Sequence, residues 1–176
     1  MDTIPHPHES RLPPVPHHHA PYTAPHHLPS FCSVSSLASK IVTSRQHAIE
    51  AQTRAWVDDH FPQLFSAVHF GNHFALEGAS RTKSEICHEI GAQVLIDDNP
   101  GYALECAEAG IIVLLYDWRD AYPWSNGAEQ RSLLDAHPNV RRVTSWAEVE
   151  AELLRLREEG RIGTPSVTEV GGMSIY

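Results

Sequence analysis

Positive charge is scarce in this sequence. Thirteen Lys and Arg stand against 22 Asp and Glu, a formal net charge of −9. A nucleic-acid partner would want a basic stripe, so that class is not expected. Cysteine is scarce too. Cys32, Cys87 and Cys106 form no Cys-x-x-Cys pair and leave an odd count. That suits a reducing compartment better than a disulfide framework. No apolar run reaches the ~18 residues of a spanning helix, so no membrane partner is expected. The chain does not open on a basic region followed by an apolar one, and a secretory signal is not expected either. A soluble, cytoplasmic protein is the resulting expectation.

What the chain has in plenty is concentrated at one end. Residues 1–29 hold 8 of the 13 prolines and 7 of the 13 histidines. Proline removes backbone donors, and no apolar period runs through this stretch. It cannot bury enough surface to offset its ordering entropy, so residues 1–36 are expected to be disordered. His17, His18 and His19 are metal ligands by type, but a Pro-rich tail gives them no fixed geometry, and the run reads as low complexity.

From residue 37 the pattern changes. Short strands are expected at 38–43 and 65–70. "QHAIEAQTRAWVDDHF" between them carries Ile49, Thr53, Trp56, Val57 and His60 at helical steps. "TKSEICHEIGA" is a short helix with Thr82 and Glu85 as a capping box and Gly91 past its end. "QVLIDD" is a third strand, "YALECAEAG" a helix closed by Gly110, and "IIVLLYD" (111–117) the most apolar strand. "NVRRVTS" adds a short strand. "SWAEVEAELLRLREEG" is a final helix capped by Ser145 and Glu148, with Gly160 as its stop. The tail from 161 to 176 has no period and reads as loose. Near-continuous apolar strands alternating with helices mean an α/β fold with a parallel sheet over residues 37–160. Ligands in such sheets sit beyond the carboxyl ends of the strands.

Three polar clusters fall there or on the loops between: Thr43-Ser44-Arg45, Lys83, and Asp97-Asp98. Two adjacent carboxylates at a strand end cannot both ionise cheaply without a compensating cation. Mg²⁺ suits them. Helix capping by Asp98 or Asn99 weighs about as much. Lys83 opens a helix, where the dipole disfavours a cation by ~0.3–1 kcal/mol. Either it reaches an anion, such as phosphate or the acidic pair, or it points into water. Taken alone, the residue favours water. Thr43 and Ser44 offer hydroxyls to a phosphate oxygen, although Ser44 also fits an ordinary N-cap. Tyr116, Trp118, Tyr122 and Trp124 either stack a nucleobase or pack the loop onto the core, and packing is expected. Arg119 has a phosphate or its neighbours Asp117 and Asp120 to pair with. His69 and His73 read as loop residues after the second strand.

Order and spacing add more than each cluster alone. A strand ending in Thr, a Lys opening a helix, and an apolar strand ending in Asp-Asp resemble the haloacid dehalogenase superfamily of Mg²⁺-dependent phosphohydrolases. "IVTSR" looks like its second motif, with Thr43 orienting phosphate. Lys83 looks like the third-motif lysine. "VLIDD" looks like the fourth motif, with Asp98 as the direct Mg²⁺ ligand and Asp97 as helper. "LIDDNPGYALECAEAGI" and "LLYDWRDAYPW" look most like the deoxyribonucleotidase-like branch, and the resemblance covers residues 37–156. It implies a Rossmann-like sheet and a phosphate-bearing small molecule as ligand.

The first motif of that superfamily is missing. It is an apolar strand ending in Asp-x-Asp, and its first Asp attacks phosphorus. No Asp-x-Asp occurs in this sequence, and nothing resembles the cap segment that follows it. The resemblance then implies an incomplete site: Thr43 and Lys83 without a nucleophile, Mg²⁺ bound weakly or not at all, and no activity by the chain alone. A non-catalytic binding protein and a truncated product of an active hydrolase are the alternatives. The missing strand would be the middle of the sheet. Its place is expected to be closed by direct pairing of the flanking strands or to stay open, rather than be filled by Ser-rich "SFCSVSS" (30–36). An unpaired edge would also invite a second copy of the chain.

Overall fold

The computed structural model describes residues 38–125 and 127–163. The disorder expected of residues 1–36, the segment 30–36 and the tail from 164 lie outside the described residues.

Strand β1 (Ile41–Thr43) pairs in parallel with β2 (Val68–Phe70), Ile41 opposite Val68 and Thr43 opposite Phe70. Strands β3 (Val94–Asp97), β4 (Ile112–Tyr116) and β5 (Val140–Val143) form a second parallel sheet in that order. Parallel neighbours need crossovers, and helices supply them. Helix α1 (Glu50–His60) links β1 to β2, and α2 (Lys83–Glu89) leads from the first sheet to the second. Helix α3 (Pro100–Glu108) links β3 to β4, α4 (Ala128–Ala136) links β4 to β5, and α5 (Trp146–Glu158) follows β5. The expected α/β class with parallel strands is the observed one.

Several boundaries move. The first two strands keep only three residues each, because among the described residues each finds only the other, a short partner. Helix α3 starts two residues early: Asn99 caps it and Pro100 sits at its first position, where no N–H is needed. Helix α4 was not expected. Its sequence, "AEQRSLLDA", buries only Leu134, too thin an apolar stripe to stand out. Gly91 and Gly110 do end their helices, at φ +65 and +88.

Strand β4 is hydrogen-bonded on both sides and carries the core. Val113, Leu114 and Leu115 are wholly buried. Side chains alternate across a strand. Val113 and Leu115 therefore meet Ala103, Cys106 and Ala107 of α3 and Leu134 of α4 on one face. Leu114 meets Val143 and Val149, with Val94, Ile96 and Leu153 against them, on the other. So α3 and α4 cover one face and α5 covers the opposite one. β1 and β2 keep a small cluster of their own, Val57, Val68 and Phe70. No strand ladder joins β1 to β3 among the described residues. Direct pairing of these two strands is therefore not seen among the described residues.

Removing Leu114 leaves a cavity in the one strand that both helix layers press on. Leu114→Ala should lower unfolding free energy by ~2–5 kcal/mol. Leu133→Ala, whose side chain is exposed on α4, should stay within about 0.5 kcal/mol. Urea midpoints of the two variants check this.

Candidate functional site

The site grows from the start of α2. Thr82 and Glu85 close the expected capping box: the Thr82 hydroxyl accepts the Glu85 N–H at 3.2 Å, and Glu85 accepts the Thr82 N–H at 2.8 Å. The Thr82 N–H, foremost, holds the Glu85 carboxyl below its usual range. With the cap fixed, Lys83 at the next position turns inward. It is only 7% exposed. Reading it as a lysine in water is wrong, because a partner waits inside. Its ammonium pairs with Asp97 Oδ2 and lies 4.4 Å above the centre of the Tyr102 ring.

Asp97 ends β3, and Lys83 takes one of its oxygens. The other, Oδ1, accepts the Asn99 N–H at 2.9 Å. Asn99 Oδ1 in turn accepts the Gly101 and Tyr102 N–H groups, so Asn99 is the cap of α3. The acids are thereby released from capping. Asp98 is exposed, and its carbonyl accepts the Trp124 indole N–H at 3.0 Å.

Tyr102 and His73 complete the surround, and sequence reasoning missed both as a pair. The Tyr102 hydroxyl lies 2.9 Å from His73 Nδ1, and His73 Nε2 lies 2.7 Å from the Arg81 carbonyl. A carbonyl only accepts, so Nε2 carries a proton and donates it. Nδ1 then faces the Tyr102 hydroxyl across their hydrogen bond. The chain from Arg81 to Tyr102 braces the ring under the lysine. Nothing in the sequence joins His73 to a tyrosine 29 positions on. His69, read as a loop residue, lies within β2. Below, α2 is tied to α3 twice. Ser84 donates its N–H and hydroxyl to Glu105 at 3.0 and 2.6 Å. The free, buried thiols of Cys87 and Cys106 share one core cluster, and their mutual interaction is the foremost cause that pushes Cys106 up and Cys87 down.

Thr43 stands apart. Its hydroxyl accepts the Arg45 N–H at 3.3 Å, and among the described residues it makes no hydrogen bond to Lys83, Asp97 or Asp98. Ser44 is not a cap; Gln46 precedes the short turn that opens into α1 and makes no side-chain cap bond. The aromatics divide. Tyr116 packs against Trp146, 5.1 Å between centroids. Tyr122 and Trp124 stack at 4.7 Å, and Trp118 and Trp124 are about half exposed, at 46% and 51%. Arg119 lies over Trp118, while Asp117 pairs with Arg142 at 2.9 Å and Asp120 with Arg131 at 3.1 Å.

Mg²⁺ prefers about six oxygens, several of them water, with one or two carboxylates. Here Asp97 has both oxygens engaged, and only the Asp98 carboxylate is free to bind. Among the described residues no three His, Cys, Asp or Glu side chains gather to hold a metal. Compared with known proteins, the chain matches no family model, no curated protein and no solved structure. Among the described residues no helix is long and apolar enough to cross a membrane.

Two measurements follow from this geometry. Asp97→Ala strands a buried ammonium and should cost ~3–5 kcal/mol, whereas the apolar double replacement Lys83→Met with Asp97→Leu should recover most of that loss. A double-mutant cycle in urea checks it; additive losses would mean that the pair is not coupled. Calorimetry should show no saturable Mg²⁺ binding at micromolar metal.

Proposed function

We propose that this chain carries the lysine and aspartate part of a haloacid-dehalogenase-type phosphohydrolase site and is catalytically silent by itself. The observation that carries the reading is Lys83, buried against Asp97 at the carboxyl end of a parallel strand. Taking two charges out of water costs several kcal/mol each, and an apolar pair would often hold the fold as well. Such a pair makes chemical sense where it aims a cation at an anionic ligand. An ammonium has three donors. Asp97 takes one and leaves others for the oxygens of a phosphate-bearing small molecule. The hydroxyl of Thr43 is the next donor in the motif order.

Transfer needs a nucleophile placed in line with the leaving group. The sequence has no Asp-x-Asp, Asp97 is held by Lys83 and Asn99, and Asp98 lies in solvent. The ligand would be held and not cleaved. Any Mg²⁺ would arrive weakly, with Asp98 as its main carboxylate. One observation favours a second reading, a purely binding protein: Trp118 and Trp124 stand half exposed on the loop that holds the Asp98 carbonyl. An aromatic ledge there suits a ring attached to the phosphate.

The purified chain, given Mg²⁺ and an aryl phosphate or a deoxynucleoside monophosphate, should release no phosphate above a protein-free blank. Turnover that disappears in Asp98→Asn would sink the proposal, since a second nucleophile would then be at work.

A further inference from the structure

Two nucleophilic groups take no part in the site described above. Cys87 on α2 and Cys106 on α3 are free thiols, at 1% and 0% exposure. Both belong to the core cluster that contains Val113 and Leu115. Their helices are drawn together beside them. Ser84 gives its N–H and hydroxyl to Glu105 at 3.0 and 2.6 Å. Ser84 stands one helical turn before Cys87, and Glu105 immediately before Cys106. Around Cys106 the buried face of α3 is Ala103 and Ala107. Small side chains let a neighbouring helix pack close. A disulfide needs that closeness, with Cα atoms about 4.4–6.8 Å apart.

Lys83 breaks the symmetry of the pair. It lies one turn before Cys87 on α2 and, like it, is buried. Cys106 foremost, with the Lys83 charge behind it, draws the Cys87 thiol below its usual range despite burial, while Cys87 pushes the Cys106 thiol up. The thiolate is the nucleophile. Cys87 is therefore the attacking sulfur and Cys106 the resolving one.

We infer that Cys87 and Cys106 are an oxidisable pair that reacts with a peroxide and closes to a disulfide between α2 and α3. With hydrogen peroxide, the Cys87 thiolate attacks one oxygen and the O–O bond breaks. Cys87 becomes a sulfenic acid, and the other oxygen leaves as hydroxide, which takes up the proton that Cys87 gave and becomes water. The Cys106 sulfur then attacks the Cys87 sulfur. The S–O bond breaks, and the hydroxyl leaves with the Cys106 proton as a second water. The two thiols lose two electrons and the peroxide gains them.

A thiol buried in apolar surroundings is ordinarily inert. Here the resolving partner is already in place, and a peroxide is small and uncharged. Helix α2 is only seven residues long, so a brief local opening admits it. Once closed, the bridge ties α2 to α3 one turn from Lys83.

Hydrogen peroxide on the full folded chain, followed by alkylation and mass spectrometry, tests this. Both cysteines fall in the tryptic peptide 84–119, and Cys32 falls in 12–40. Peptide 84–119 should lose two hydrogens, escape alkylation, and recover both thiols on reduction. Closure should raise the thermal midpoint by roughly 5–15 °C, and dithiothreitol should reverse the rise. Cys106→Ala should leave a Cys87 sulfenic acid that dimedone captures. Cys87→Ala should slow oxidation of Cys106 at least ~10-fold. Peptide 84–119 alkylated on both cysteines after peroxide overturns the inference. So does a bridge to Cys32 or to a second molecule, a disulfide that forms only in urea, or a midpoint that fails to rise. If neither alanine variant folds, peptide mass and midpoint of the unaltered chain decide alone.

Discussion

Lys83 and Asp97 are each less than a tenth exposed, and burying either charge without the other is costly. Their meeting fixes the position of α2. That helix is the element that leads from the two-stranded sheet to the three-stranded one, so its start must be pinned to β3 and its end must reach β1. Lys83 does the first by pairing with Asp97, and the Ile90 carbonyl does the second by accepting Lys40 at 3.1 Å. With no ladder between β1 and β3 among the described residues, such contacts across α2, together with Val42 in the shared core, hold the sheets in register.

A second buried ion pair lies one strand over. Asp117, at the end of β4, is wholly buried and pairs with Arg142 of β5, which also holds Asp135 at 3.2 Å. The carboxyl ends of β3 and β4 thus carry one buried acid each, and each buried acid already has a basic partner. Both buried acids are thereby committed to a cationic side chain. That commitment explains why the exposed Asp98, and not a buried acid, is the carboxylate left to meet solutes.

Much of the local structure was legible because its signals are local. The capping box at Thr82 and Glu85, Asn99 before Pro100, and the glycines after α2 and α3 each act within a few residues. The apolar runs at 94–96 and 112–115 could only be buried strands. Helix α4 was not legible, because a single buried leucine makes no period. The short first strands were misjudged in length for a different reason. Strand length depends on how many partners a strand finds, and β1 and β2 find only each other among the described residues.

By itself the sequence determined the α/β class, the parallel order of short apolar strands, and the presence of a lysine and two acids near their carboxyl ends. These follow from hydrophobic period and turn chemistry, which a chain carries along its length. Tertiary structure decided which acid the lysine takes, since Asp97 points inward and Asp98 outward only once β3 lies beside β4. It also decided that Tyr102 and His73 brace the lysine, and that Thr43 makes no hydrogen bond to Lys83 or to either acid. Those pairings join residues far apart in the chain, and only the packing of helices on sheet brings them within hydrogen-bond reach.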